Sequence, residues 1–351
     1  YYGGCQFVDQ IEQMAIDRAC QLFQCKYANV QPHSGSQANA AAYRALLPDG
    51  GKILSLVLND GGHLTHGSPV SFSSNLYRFA FYPLKNGRLD YEAIERIALD
   101  FQPDLIICGY SAYPFEIDFN HFKQIADKVE AYLMVDMAHI AGLIAAHEHP
   151  EPFPYADVVT STTHKTLRGP RGGIILWNDE DLIRKINSAV FPFYQGGPLE
   201  HVIAAKAACF KEAMTEEFKQ YIKQVKINTK ACCDRFEQLG IEVSGTDNHL
   251  FLVNVLDSYG INGQEAQDAL EEIEITTNKN ILPNDTLPPN KTSGLRLGFA
   301  AVTTRGCTEK QAKKVADIID GFFKKTISVA RAKEMVKQLV STWKQIQDIG
   351  A

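Results

Sequence analysis

The chain has 351 residues, with 35 Lys and Arg against 41 Asp and Glu, a net charge of −6. That balance excludes a nucleic-acid binder working through a broadly basic surface. Hydrophobic residues at 45% and charged residues at 22% are those of a globular chain, and the length predicts about two domains.

Residues 6–24 read as a helix, with Ile11, Met14, Ala15, Arg18 and Leu22 near a helical period. A polar turn, His33 to Asn39, leads into a helix over residues 40–47. Short apolar runs at 53–58, 105–108, 132–135, 158–160 and 173–177 read as strands, with helices at 91–99, 119–128 and 181–188 between several of them. Strands alternating with helices predict an α/β domain, its sheet mostly parallel and covered by helices. From about residue 204 the pattern changes to a long helix over 204–239, strands at 241–244 and 250–256, a helix from 263, a strand at 295–299, and helices at 308–323 and 330–346. This predicts a smaller C-terminal α+β domain, with the division at 1–210 and 211–351. The most apolar stretch, 131–146, carries Asp136 and His139 and is a poor membrane span. Eight cysteines without framework spacing read as free thiols of a reducing compartment, so a cytoplasmic location is expected.

Three segments have the composition of a site. Ser34, Gly35 and Ser36 precede a helix, where free N–H groups and the helix dipole suit an anion such as phosphate; a plain helix cap by Ser36 or Asn39 is the alternative. Residues 132–136 form an apolar strand ending in Asp136, and ligands of open α/β sheets bind beyond the C-terminal strand ends. Lys165 follows 29 positions later, past another short strand, with hydroxyls before it and glycines and Arg171 after it. A lysine that binds pyridoxal phosphate as a Schiff base needs a phosphate cradle and an acidic partner for the ring nitrogen, and these segments supply both. His63 and His66 have the spacing of a metal pair but lack further ligands at zinc-motif spacing, so no metal is expected. His147 and His149 lie in a proline-rich loop and read as exposed. Arg296 sits in an apolar strand and wants an anionic partner, either a substrate carboxylate or a nearby Glu.

Six motifs occur in order: Tyr1-Tyr2-Gly3-Gly4-Cys5, residues 29–39 (Asn-Val-Gln-Pro-His-Ser-Gly-Ser-Gln-Ala-Asn), residues 61–67 (Gly-Gly-His-Leu-Thr-His-Gly), Val135-Asp136-Met137-Ala138-His139, Thr162-Thr163-His164-Lys165-Thr166 and Gln195-Gly196-Gly197-Pro198. In these the chain resembles the serine hydroxymethyltransferases, a family of fold-type-I pyridoxal-phosphate enzymes, from residue 1 to about residue 320. The resemblance implies that Lys165 holds the cofactor, Asp136 pairs with its ring nitrogen and His63 stacks on the ring. Ser111 and His139 would flank its phenolic oxygen, and Ser34, Gly35 and Ser36 its phosphate. Gly196, Gly197 and Tyr2 would serve the site of a neighbouring subunit, in a homodimer or a tetramer. Arg296 would clamp the amino-acid carboxylate, His164 and Arg171 would support the lysine loop, and Leu58, Leu64 and Asn280 would meet the folate. The implied reaction converts serine and tetrahydrofolate to glycine and 5,10-methylenetetrahydrofolate, with no nucleic-acid or membrane partner.

The pattern departs from the family at three places. The family's Tyr-x-Glu segment, which carries a proposed acid/base Glu, and its N-terminal arm are not in this sequence, which leaves two readings: a fragment whose parent carries the group, or a chain that lacks it and whose folate-dependent turnover is then in doubt. The family's Gly-Thr-Pro-Ala reads Gly298-Phe299-Ala300-Ala301, placing a bulky Phe299 where it would narrow the site. Phe193 and Tyr194 replace glycine-bearing sequence before Gln195. These departures leave two alternatives: a truncated or non-catalytic homologue that binds a partner, and a folate-independent β-hydroxy-amino-acid aldolase.

Overall fold

The computed structural model describes residues 3–344. The chain forms two compact units. The first comprises the chain up to Leu58 with Gly62–Ser111 and Ile117–Lys219; the second comprises Asn59–Gly61, Ala112–Glu116 and the chain from Gln220.

The first unit is built on seven strands: β1 (Tyr27–Asn29), β2 (Lys52–Leu56), β3 (Arg78–Tyr82), β4 (Leu105–Cys108), β5 (Tyr132–Asp136), β6 (Val158–Thr162) and β7 (Gly173–Trp177). Their order is β1-β7-β6-β5-β4-β2-β3. Only β7 runs against the others, antiparallel to both β1 and β6. The α/β expectation, with a mostly parallel sheet covered by helices, is met. Strands β4, β6 and β7 are buried along their whole length, which is why they read as unbroken apolar runs rather than alternating ones. Helix α1 (Gln6–Phe23) ends on Gln24 in the left-handed conformation, close to its expected end. Helix α2 (Gly35–Leu46) begins five residues before the expected start at 40. Its cap is Ser34, not Ser36 or Asn39: Ser34 is extended and its Oγ accepts from the Gln37 N–H at 3.2 Å. Buried Ala38, Ala41 and Ala42 let α2 lie close against β6 and β7.

The expected helix over 204–239 is broken into Glu200–Ala213 and Glu216–Gln238. Thr215 makes the break, accepting the Phe218 N–H on its Oγ1 at 3.3 Å and so starting a new helix. In the second unit, strands Leu250–Asn254, Gly294–Gly298 and Asn278–Asn280 form an antiparallel sheet with Gly294–Gly298 in the middle. The expected strand at 241–244 reduces to a single bridge, Val243 to Val253. The strand starting at 250 stops at Asn254, whose side chain accepts the Asp257 N–H at 3.1 Å and caps a short helix. Phe236, Phe251, Leu270, Leu295 and Leu297 fill this unit's core, and Phe299 packs with them at 4% exposure. Phe299 therefore spends its bulk on the core, which is a different use from narrowing a site. Among the described residues no helix is long and apolar enough to cross a membrane, and all eight cysteines are free thiols.

Candidate active site

The C-terminal ends of the parallel strands carry the candidate residues of the first unit. Asp136 is the last residue of β5; Ser111 lies just past β4, Lys165 just past β6, and His63 in the turn after β2. Gly109 makes this convergence possible. Its φ is +99°, and a Cβ there would run into the Asp136 carbonyl, so only glycine lets β4 turn against the end of β5. A pocket opens here, lined among others by Gly35, His63, Ser111, Asp136, His139 and Lys165.

Asp136 is 8% exposed. Its Oδ2 accepts from Asn39 Nδ2 at 2.9 Å and from His66 Nε2 at 3.0 Å, and its Oδ1 accepts the Ala138 N–H at 3.1 Å. Burial pushes the Asp136 carboxyl up, but the His66 hydrogen bond, the imidazole charges and Asn39 outweigh burial and hold it well below the usual carboxylate range. Asn39 is fully committed. Its second amide hydrogen goes to Thr65 Oγ1 at 2.9 Å, and its Oδ1 accepts from Thr160 Oγ1 at 2.6 Å. The network therefore fixes both the charge and the direction of the carboxylate.

His63 takes the Thr65 N–H on its Nδ1 at 3.2 Å, with Thr65 Oγ1 at 2.7 Å, which leaves Nε2 as the ring's N–H. Burial pulls its pKa down to about 4, and the nearby charges of His66 and Lys165 add to this against the pull of Asp136. The ring is neutral at pH 7. A histidine lowered this way contributes stability that is complete above its unfolded value of 6.5 and is lost as pH falls towards 4. Acidification across that window is expected to cost roughly 3 kcal/mol at ~1.4 kcal/mol per pH unit. Urea unfolding of the cofactor-free protein and of His63→Asn checks this: the stability gap between them should narrow as pH falls.

The donor atoms of His63, His66 and Asp136 lie within 4.8 Å of one another. Sequence spacing did not reveal Asp136 as a third member of that group. Within that group the His66 and Asp136 atoms are joined by a hydrogen bond of 3.0 Å.

The lysine loop is strapped from both sides. Thr166 Oγ1 donates to the His139 carbonyl at 2.8 Å and accepts the Gly142 N–H at 3.0 Å, tying the residue after Lys165 to the segment that follows Asp136. The Arg168 N–H reaches the Lys165 carbonyl at 3.0 Å, and the Gly169 N–H reaches Thr163 at 2.7 Å. Arg171 lies 3.1 Å from His164 Nε2. Burial, Arg171 and Lys165 all lower the His164 pKa.

Pyridoxal phosphate fits this donor set. A buried ionised carboxylate faces the same pocket as a lysine, and the N-terminus of the twelve-residue α2 offers N–H groups to a phosphate. A Cβ on Gly35 would come 2.7 Å from Thr162, so glycine keeps that corner open. Residues 1–319 match the family model of serine hydroxymethyltransferase. The chain belongs to the serine hydroxymethyltransferase family. It is 54% identical over 343 residues to the probable serine hydroxymethyltransferase of Mesomycoplasma hyopneumoniae strain J, covering 97% of this chain and 82% of that protein. It is 53% identical over 350 residues to the serine hydroxymethyltransferase of Sulfurovum sp. strain NBC37-1, covering 98% and 84%.

The remaining candidates lie elsewhere. Gly196 and Gly197 are exposed and outside the pocket lining of their own chain. Leu58 is half-buried in a 3-10 turn after β2, and Leu64 is 49% exposed. Asn280 and Arg296 belong to the second unit, on the strands Asn278–Asn280 and Gly294–Gly298. Arg296 is half-buried, and burial lowers its pKa. Tyr2 lies outside the described residues. His149, expected exposed, is 5% exposed, its ring against Phe119 and its Nδ1 at 2.9 Å from the Pro150 carbonyl. The residues that sequence reasoning missed are Asn39 as an Asp136 partner, His66 as another, and Gly109. Asn39 and His66 stood inside quoted motifs, but their partner is distant in sequence.

Proposed function

We infer that this chain catalyses the reversible transfer of the serine hydroxymethyl carbon to tetrahydrofolate, giving glycine and 5,10-methylenetetrahydrofolate, with pyridoxal phosphate as cofactor. The observation that carries this reading is a buried, ionised Asp136 sharing one pocket with Lys165 and the N-terminus of α2, in a chain of this family. Bound there, pyridoxal phosphate supplies an electron sink for the carbanion left when a bond to the substrate Cα breaks.

The chain's residues divide that work. Ser34, Gly35 and Ser36 hold the phosphate, and Lys165 holds the cofactor covalently. Asp136, kept ionised by His66 and Asn39, holds a proton at the ring nitrogen, so the ring stays electron-poor. His63 offers a neutral flat ring, and Ser111 and His139 hydrogen-bond the phenolic oxygen. Arg296, whose guanidinium has lost part of its hydration, takes the amino-acid carboxylate in a bidentate pair. That pair also helps fix the angle of the breaking bond. His164 and Arg171 steady the lysine loop, and Leu58, Leu64 and Asn280 meet the folate. Gly196, Gly197 and Tyr2 serve the neighbouring subunit's site, so the working form is a homodimer or a tetramer. Exposed Gly196 and Gly197 are compatible with that sharing. The eight free thiols favour the cytoplasm.

The test is serine cleavage with and without tetrahydrofolate, beside a threonine-like β-hydroxy amino acid. Folate-dependent formation of glycine is expected. Cleavage indifferent to folate would make the chain an aldolase, and binding of pyridoxal phosphate without turnover would make it a non-catalytic homologue.

A further inference from the structure

Lys206, on the helix Glu200–Ala213, is 1% exposed. Its Nζ donates to three backbone carbonyls, those of Val30 at 2.6 Å, Pro32 at 3.1 Å and Gly173 at 2.9 Å. An ammonium has three N–H donors, so this tripod uses all of them. The acceptors come from two segments that both matter to the pocket. Residues 30–32 run directly into Ser34 and the start of α2, and Gly173 opens β7 just after the lysine loop. The Gly173 N–H also donates to Pro32 at 2.9 Å, and a Cβ on Gly173 would run into the Ser34 carbonyl. The two segments thus meet backbone to backbone, and the ammonium closes the seam.

An apolar side chain would fill the space without the cost of burying a charge. It would also leave three carbonyl oxygens aimed at one point with no positive group among them. We propose that Lys206 serves as a tethered monovalent cation, holding a three-carbonyl site that fixes the phosphate-binding turn against the strand after the lysine loop. Lys206 is thus a positioning residue, and the proposal rests on the cofactor reading given above. Burial pulls Lys206 down to about 7, opposed by the charge of Glu12, while only the charged form satisfies all three carbonyls. Its charge is felt at the turn itself: after burial, Lys206 is the cause that lowers the pKa of His33, next to Ser34.

A carbonyl cage of this kind accepts potassium in place of its hydration shell. The experiment therefore uses Lys206→Met, which keeps the length and loses the charge, and Lys206→Ala, which also empties the space. Pyridoxal phosphate affinity is measured by absorption titration in potassium chloride and in tetramethylammonium chloride at equal ionic strength. Exchange of the Gly173 amide is followed in the cofactor-free protein. Losing charged hydrogen bonds predicts about 10- to 100-fold weaker binding in Lys206→Met, with unchanged far-ultraviolet circular dichroism. In Lys206→Ala, potassium restores both affinity and Gly173 protection, and tetramethylammonium restores neither. Wild-type affinity in both variants would overturn the proposal. So would a loss in Lys206→Ala that potassium does not repair, or a Lys206→Ala protein that fails to fold even in potassium. If the wild type itself fails to bind pyridoxal phosphate, the cofactor reading falls, and Gly173 exchange alone decides the cation proposal.

Discussion

Lys165→Ala is expected to leave a folded protein whose folate-dependent serine cleavage has dropped by at least ~10³-fold, the scale of losing a covalent catalytic group. The loop is held by bonds of its other residues. Thr166 ties it to His139 and Gly142, and the backbone bonds of Arg168 and Gly169 close it. Truncation at Lys165 therefore removes the amine while these bonds hold the loop. Lys206 is no substitute, because its ammonium is buried and committed to three carbonyls. Steady-state cleavage with saturating pyridoxal phosphate, checked against the thermal midpoint of the variant, measures the effect. Residual activity within about tenfold of the wild type would remove Lys165 from the chemistry.

Asp136→Asn is expected to lower turnover by ~10²- to 10⁴-fold, the range of a positioned acid/base or electrostatic group. The substitution keeps the shape of the side chain and removes its charge. Three donors, from Asn39, His66 and Ala138, converge on the carboxylate. An amide has one accepting oxygen where the carboxylate has two, so its NH₂ faces a donor in at least one place. The ring nitrogen would then meet a neutral group that does not favour a proton there, and turnover falls even when cofactor is saturating. Measuring turnover and cofactor affinity separately distinguishes this from weak binding. An Asp136→Asn protein that binds cofactor less well but turns over normally once saturated would contradict the electrostatic role.

The strands and the residues at their ends were legible because their signal is local. Residues 105–108 and 173–177 are apolar throughout since both faces of those strands are buried, and their limits match the structure. Asp136, at the end of an apolar strand, and Lys165, past the next one, stood out in combination with the segment at residues 34–36, because together they supply what a pyridoxal phosphate site needs. What was not legible depends on distant partners. Asn39 looked like a helix cap, and its role as an Asp136 donor appears only when α2 packs beside β5 and β6. His66 was half of a histidine pair until the fold brought Asp136 to it. Strand β1 is three residues long and is defined by pairing with β7. The break at Thr215 was hidden because helix-forming residues stand on both sides of it. His149 follows the same rule: a polar loop residue turned inward against Phe119 carries no mark in the sequence.

The most direct test of the account is to reconstitute the full chain with pyridoxal phosphate, reduce it with borohydride and locate the fixed pyridoxyl group by peptide mass spectrometry. The account predicts one labelled peptide, carrying the group on Lys165, and no label on Lys165→Ala. Label on another lysine, or none on a folded wild-type protein, would contradict it.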